Sequence, residues 1–314
     1  MVIKVGNMDF VVTLICDPVA MTIDGTTCAA ASDALKNADM AVTGMDFLAP
    51  GIACDIFFRA SGPPKIVTAR AEESVRLVLT HNLVDVVVQI QQGRRKRFLA
   101  ADMESTIIVN EMLNELAALV DGDGKMEKQI SRITARAMRG DMDFSGALRE
   151  RVALLEGCPC TFVEKAKSRI SFMPGAVSLV RTMRRDGAFT LLLSGGFSPF
   201  TEYVAAAAGF DQVTGNTLEV RNGRLTGRVI DPLFDSSGKL ETLRRVALKK
   251  GVSLSETMAV GDGVNDIPML KAAGTGVAFH AKPVAAEVAQ VRIGHGDLTA
   301  LLYLQGYRSE EIVI

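Results

Sequence analysis

From Phe98 onward the chain alternates short apolar runs with helical stretches, and three of those runs break off in acidic or small polar residues. Phe98-Ala101 ends in Asp102-Met103-Glu104-Ser105-Thr106, Phe189-Leu193 in Ser194-Gly195-Gly196, and Thr257-Val260 in Gly261-Asp262-Gly263; Gly276-His280 is a further run. Strands that alternate with helices pair in parallel, which predicts an α/β fold with a doubly wound, Rossmann-like sheet. Between residues 111 and 171 no strand pattern occurs, and Glu111-Val120, Met126-Met138, Phe144-Leu155 and Thr161-Ile170 read as helices. Such a block, inserted after the first strand, forms a helical cap over the carboxyl edge of the sheet, where these folds place their ligands.

Residues 1–92 follow a different order. Met8-Cys16, Met40-Leu48, Ile52-Phe58 and Leu83-Ile90 read as strands, with helices over Thr26-Asn37 and Ala69-His81. The order β-α-β-β-α-β is that of a ferredoxin-like α+β unit. It resembles, in order and length, the ACT-type regulatory domains that bind amino acids or pair with themselves. The basic run Gly93-Arg97 reads as a solvated linker that marks the boundary. The expected division is therefore an ACT-like regulatory or dimerisation unit (1–92), the first core strand with its motif (93–111), the cap (112–170) and the rest of the core (171–314).

Charge and composition remove several classes of function. Lys and Arg number 35 against 36 Asp and Glu, so no broad field attracts nucleic acid or anionic lipid. Apolar runs such as Leu83-Ile90 fall far short of the roughly 20 residues that cross a bilayer. Five scattered cysteines, an odd number, argue against a disulfide framework and for the cytoplasm. The expected partners are a small-molecule substrate and a second copy of the chain, with neither nucleic acid nor membrane.

The strand ends carry the chemistry. If they converge, Asp102, Glu104, Asp262 and Asp266 place up to four negative charges together, which requires a compensating cation. The donors are hard oxygens, which favours Mg²⁺ over zinc. Ser194, the glycine amides and Lys239 in SSGKLETL suit an anion, and the pairing of anion with Mg²⁺ points to a phosphoryl group. Of two acids on one strand end, one can attack phosphorus while the other exchanges a proton with the leaving oxygen and the hydrolytic water.

The segments DMESTIIVNE, AMRGDMDFSGALRERVALL, LLLSGGF, AVGDGVNDIPML and VAFHAKP, in that order, resemble the haloacid dehalogenase superfamily, and within it the enzymes that hydrolyse O-phosphoserine. The resemblance runs from Phe98 to Tyr307. It implies Mg²⁺-dependent hydrolysis of O-phospho-L-serine through an aspartyl-phosphate, the last step of serine synthesis. Asp102 would be nucleophile and metal ligand, Glu104 proton donor and metal ligand through its carbonyl, and Asp262 the third ligand. Ser194, Gly195, Lys239 and Asn265 would hold the phosphate, with Asp266 orienting Lys239 or a metal-bound water. In the cap, Glu111 would meet the substrate ammonium and Arg151 its carboxylate, while Met138 and Phe144 close over the methylene. The second acid of the motif, usually Asp, is Glu104 in this chain. Two alternatives stand beside this reading: a related phosphatase or phosphotransferase for another small phosphomonoester, and an amino-acid sensor with an inactive core. Asp121-Gly124 reads as a turn, Cys158-Pro159-Cys160 as structural, and His81, His280 and His295 receive no role.

Overall fold

The computed structural model describes residues 7–80, 83–121, 124–138 and 141–314. The first unit holds β1 (Met8–Cys16), α1 (Gly25–Asn37), β2 (Ala41–Ala49), β3 (Ala53–Ala60), α2 (Pro64–Val78) and β4 (Val84–Ile90). Its strands form an antiparallel sheet in the order β2-β3-β1-β4. Asp24 caps α1 by accepting from the Thr27 amide at 2.8 Å. Helix α2 starts five residues before the expected Ala69, because Pro64 occupies its first turn, where a missing N–H costs nothing. The predicted end of that helix, His81, lies outside the described residues.

The second unit continues with β5 (Phe98–Ala101), α3 (Met112–Val120), α4 (Lys125–Met138), α5 (Phe144–Ala153), α6 (Thr161–Lys167), α7 (Ala176–Arg185), β6 (Phe189–Phe197) and α8 (Ser198–Ala208). Then come β7 (Gln212–Arg221), β8 (Arg224–Ile230), α9 (Ser236–Lys249), β9 (Thr257–Gly261), α10 (Ile267–Ala272), β10 (Thr275–Phe279), α11 (Pro283–Val288), β11 (Val291–Ile293) and α12 (Ala300–Tyr303). The seven strands lie in the order β11-β10-β9-β5-β6-β7-β8, parallel except for β8. The expected Rossmann-like sheet and the helical block after its first strand are both present.

Three strands add to the sequence reading. β7 and β8 form a hairpin whose polar alternation hides a half-buried strand pair; its turn, Asn222-Gly223 with φ of 51° and 70°, needs the left-handed region that Asn and Gly tolerate. The hairpin grips the cap: the Gly157 amide donates to the Leu225 carbonyl at 2.9 Å, and the Leu225 amide to Cys158 at 2.8 Å. β11 is only three residues long.

The linker is largely solvent-exposed, and its cations are also engaged. Arg94 pairs with Asp55 at 2.6 Å, the Arg95 guanidinium stacks 4.0 Å from the Tyr307 ring, Lys96 donates to the Ser255 carbonyl, and Arg97 pairs with Glu256. The reason lies in β1, which is buried on both faces. Phe10, Val12 and Leu14 pack under α1 and α2, whereas Ile15, with Ala53 and Val87 beside it, joins the core of the second unit. Asp55 lies on that second face, fully buried, and needs a cation. Asp85 of β4 also crosses the boundary, accepting from the amides of Gly294, His295 and Gly296 at 2.8, 3.0 and 2.8 Å.

Candidate active site

The site follows from sheet register. β5 sits between β6 and β9, with Ala101 opposite Leu192 on one side and Val260 on the other. All three strands therefore run toward one edge: Asp102 and Asp262 follow the ends of β5 and β9 there, and Ser194 lies within β6, two residues past Leu192. β5 is only four residues long and wholly buried, so the chain turns sharply after Ala101.

Asp102, Asp262 and Asp266 are buried and present carboxylate oxygens within 4.8 Å of one another. Lys239, from the first turn of α9, lies among them, with Nζ 2.7 Å from Asp102 Oδ1 and 2.7 Å from Asp266 Oδ1. Asp235 fixes that turn by accepting from the Gly238 amide at 3.0 Å. The other oxygen of Asp266 accepts from the Gly263 amide at 3.0 Å. Asp262 takes a hydrogen bond from Thr106 at 3.3 Å and faces Lys282 Nζ at 3.5 Å. Lys282 was absent from the expected set; its signal, AKP after a strand, was legible but silent about where the side chain points.

Three acids against one buried lysine leave the cluster short of positive charge. Burial, then the Asp266 charge, push the Asp102 carboxyl well above the ordinary carboxylate range, with Lys239 opposing. Asp262 is raised as well, by burial first. Burial works against the Lys239 ammonium, but Asp102 and Asp266 outweigh it and hold it charged. A hard divalent cation fits this set of oxygens and supplies the missing charge.

Glu104 stands beside the cluster. Its Oε1 accepts from the Met112 amide at 2.7 Å, at the start of α3. Its Oε2 lies 3.1 Å from where a β-carbon on Gly196 would stand. Burial and the neighbouring Glu111 raise it to about 7, against the Met112 amide, Arg151 and Lys239. The Ser194 hydroxyl accepts from the Gly196 amide at 2.9 Å. A β-carbon on Gly195 would lie 3.4 Å from the Phe144 ring, so this cap residue reaches down to the Ser-Gly-Gly loop.

Of the remaining expected residues, Glu111 accepts from Ser105 at 2.8 Å and acts electrostatically on Glu104, Asp262 and Arg151. Arg151 is bonded to Thr134 at 3.4 Å and to the Ala147 carbonyl. The Asn265 side chain folds over Gly263, where a β-carbon would collide with it. The side chain of Met138 lies outside the described residues. Sequence reasoning missed Asn216, buried on β7 and bonded to Gly195 and Phe234.

Known proteins are similar to this chain in sequence and fold. The pattern of the haloacid dehalogenase-like hydrolases matches residues 99–271. A phosphoserine phosphatase of Streptomyces coelicolor is 38% identical over 271 residues, which make up 86% of this chain and 62% of that protein. The chain thus spans about three fifths of that relative's length. Among solved structures, a hydrolase of the same family from Salmonella enterica serovar Typhi superposes with a TM-score of 0.81 at 26% identity, over 94% of this chain and 98% of that one. A phosphoserine phosphatase solved as a phospho-aspartyl intermediate analogue is 36% identical with a TM-score of 0.61, over 67% of this chain and 98% of that one. On the matched pattern and the three converging strand ends, the chain belongs to the haloacid dehalogenase-like hydrolase family, on the branch that carries the phosphoserine phosphatases.

Proposed function

We propose that the protein hydrolyses O-phospho-L-serine to L-serine and phosphate with Mg²⁺ as cofactor. The observation that carries the reading is the buried Asp102-Lys239-Asp266 cluster, with Asp262 and Glu104 beside it, at the one edge toward which β5, β6 and β9 run. Asp102, Asp262 and the Glu104 carbonyl would hold the Mg²⁺, which when bound offsets the repulsion between the Asp102 carboxylate and the phosphate dianion. An Asp102 oxygen attacks phosphorus, the bond to the serine oxygen breaks, and Glu104 gives that oxygen a proton. Glu104 then takes a proton from water, whose oxygen attacks phosphorus and releases Asp102. Lys239, Ser194, Gly195 and Asn265 hold the phosphoryl oxygens, and Asp266 orients Lys239.

The cap completes the substrate. Glu111 faces its ammonium, Arg151 its carboxylate in a bidentate fork, and Phe144 closes over the methylene. Residues 1–92 form an ACT-like regulatory or pairing unit. Among the described residues no helix is long and apolar enough to cross a membrane, and the cysteines are unpaired thiols, which supports a cytoplasmic enzyme.

The test is phosphate release from phosphoserine with and without Mg²⁺, in the parent protein and in Asp102→Asn. Turnover is expected only in the metal-loaded parent, with beryllium fluoride trapped on Asp102. Retained turnover in Asp102→Asn rejects the covalent mechanism.

A further inference from the structure

Asn216 lies on β7, one strand outward from the Ser-Gly-Gly loop, and is 2% exposed. It sits opposite Phe197, where the pairing of β6 with β7 slips past the residues between Leu193 and Phe197. Its amide is fully used. Nδ2 donates to the Gly195 carbonyl at 2.8 Å and to the Phe234 carbonyl at 3.0 Å, and Oδ1 accepts from the Phe234 amide at 2.7 Å. A buried amide with both protons and its oxygen engaged is held rigidly.

Each partner leads to a group that faces the phosphoryl site. The carbonyl and N–H of one peptide point in opposite directions. Turning the Gly195 carbonyl toward Asn216 therefore aims the Gly196 N–H the other way, onto Ser194 Oγ at 2.9 Å. A hydroxyl that accepts there keeps its own proton free for an anion. On the other side, Phe234 precedes Asp235, which caps α9, and its ring packs on Gly238, where a β-carbon would stand 2.9 Å away. The Lys239 amide bonds the Asp235 carbonyl at 3.0 Å. One side chain thus ties the loop bearing Ser194 to the helix start bearing Lys239.

We propose that Asn216 is a positioning residue for phosphoryl binding: it sets the spacing between the Ser194 hydroxyl and the Lys239 ammonium without touching substrate. This rests on the phosphomonoesterase reading above. A merely structural Asn216 would satisfy the irregular end of β6 and affect only folding, so the experiment separates the two.

Asn216→Ala and Asn216→Asp are compared with the parent for inhibition by inorganic phosphate and for kcat/KM on phosphoserine and 4-nitrophenyl phosphate, each corrected for folded fraction from thermal melts. In Asn216→Ala the inhibition constant is expected to rise about tenfold, equivalent to about 1.4 kcal/mol, and kcat/KM to fall by a similar factor for both substrates. Asn216→Asp fills the same volume but sets a carboxylate against two carbonyl oxygens, and its loss is expected to be at least as large. Combined with Ser194→Ala, the Asn216→Ala loss shrinks, because the two act through one loop. The proposal is overturned if phosphate inhibition stays within about twofold of the parent while the melting point drops, if the two substitutions add fully, or if both variants fail to fold. Binding of inorganic phosphate, followed by calorimetry, reads the brace even if phosphoserine is not the substrate, so failure of the brace and failure of the substrate assignment are told apart.

Discussion

Glu104 reaches its position with one methylene more than the aspartate usual in the family, and its carboxyl is anchored by the Met112 amide at 2.7 Å. That anchor belongs to the cap, so the proposed proton donor is held from the cap side as well as from the end of β5. Raised to about 7 by burial and Glu111, the acid is still substantially protonated near neutrality, as a donor to a departing alkoxide must be. For phosphoserine, kcat/KM is therefore expected to fall as pH rises through about 7, because the free enzyme loses the proton it must give. In Glu104→Gln, phosphoserine turnover is expected to drop by about 10²–10⁴. The same variant should release one equivalent of nitrophenolate from 4-nitrophenyl phosphate in a burst and then stall, since that leaving group needs no proton but the second step needs a base. Steady turnover without a burst would remove Glu104 from the acid-base role.

At the scale of elements, the cap is pinned at its start and again between α5 and α6. Met112 begins α3 on the Glu104 carboxylate, and the segment after α5 adds to the β7-β8 hairpin through Gly157, Cys158 and Cys160. Arg151 projects from α5, and burial works against its guanidinium while Glu104 and Glu111 favour its charge. Losing Arg151 is expected to cost phosphoserine far more than an aryl phosphate that has no carboxylate to bind. Arg151→Ala should thus lower kcat/KM for phosphoserine at least about 30-fold, the scale of a charged hydrogen bond of about 2 kcal/mol, and leave 4-nitrophenyl phosphate within a few-fold. Equal losses would take Arg151 out of selectivity.

The core strands and cap helices were legible because apolar period and strand-end chemistry coincide at Asp102, Ser194 and Asp262. The hairpin was not. Its residues alternate Thr, Asn, Glu and Arg with apolar ones, and only the Asn222-Gly223 turn announced it. Asn216 was hidden for the same reason, since its role depends on a slip in strand register that no local pattern encodes.

Across the whole molecule, the two units share a buried boundary held by charge. Burial raises the Asp55 carboxyl, with Arg94 and Thr13 opposing. Arg94→Ala would strand that carboxylate and is expected to cost about 3–5 kcal/mol at neutral pH. The sign with pH follows from the raised carboxyl. Protonated Asp55 is favoured in the folded state, so the deficit should shrink as pH falls and the stranded group takes up a proton. Urea melts of the variant and the parent at pH 7.5 and 5.0 check this; an equal deficit at both would mean that lost packing, not stranded charge, sets the cost.

The doubly covered β1 has a consequence for anyone trimming the protein. Cutting within residues 93–97 would not liberate an accessory piece but peel the floor from a shared core, baring Ile15, Ala53 and Val87 to water and leaving the amides of Gly294, His295 and Gly296 without the Asp85 oxygens they hold. A second copy seeking this sheet would find its inner strands already covered and the edge strand β2, largely exposed from Ala41 to Met45, on offer.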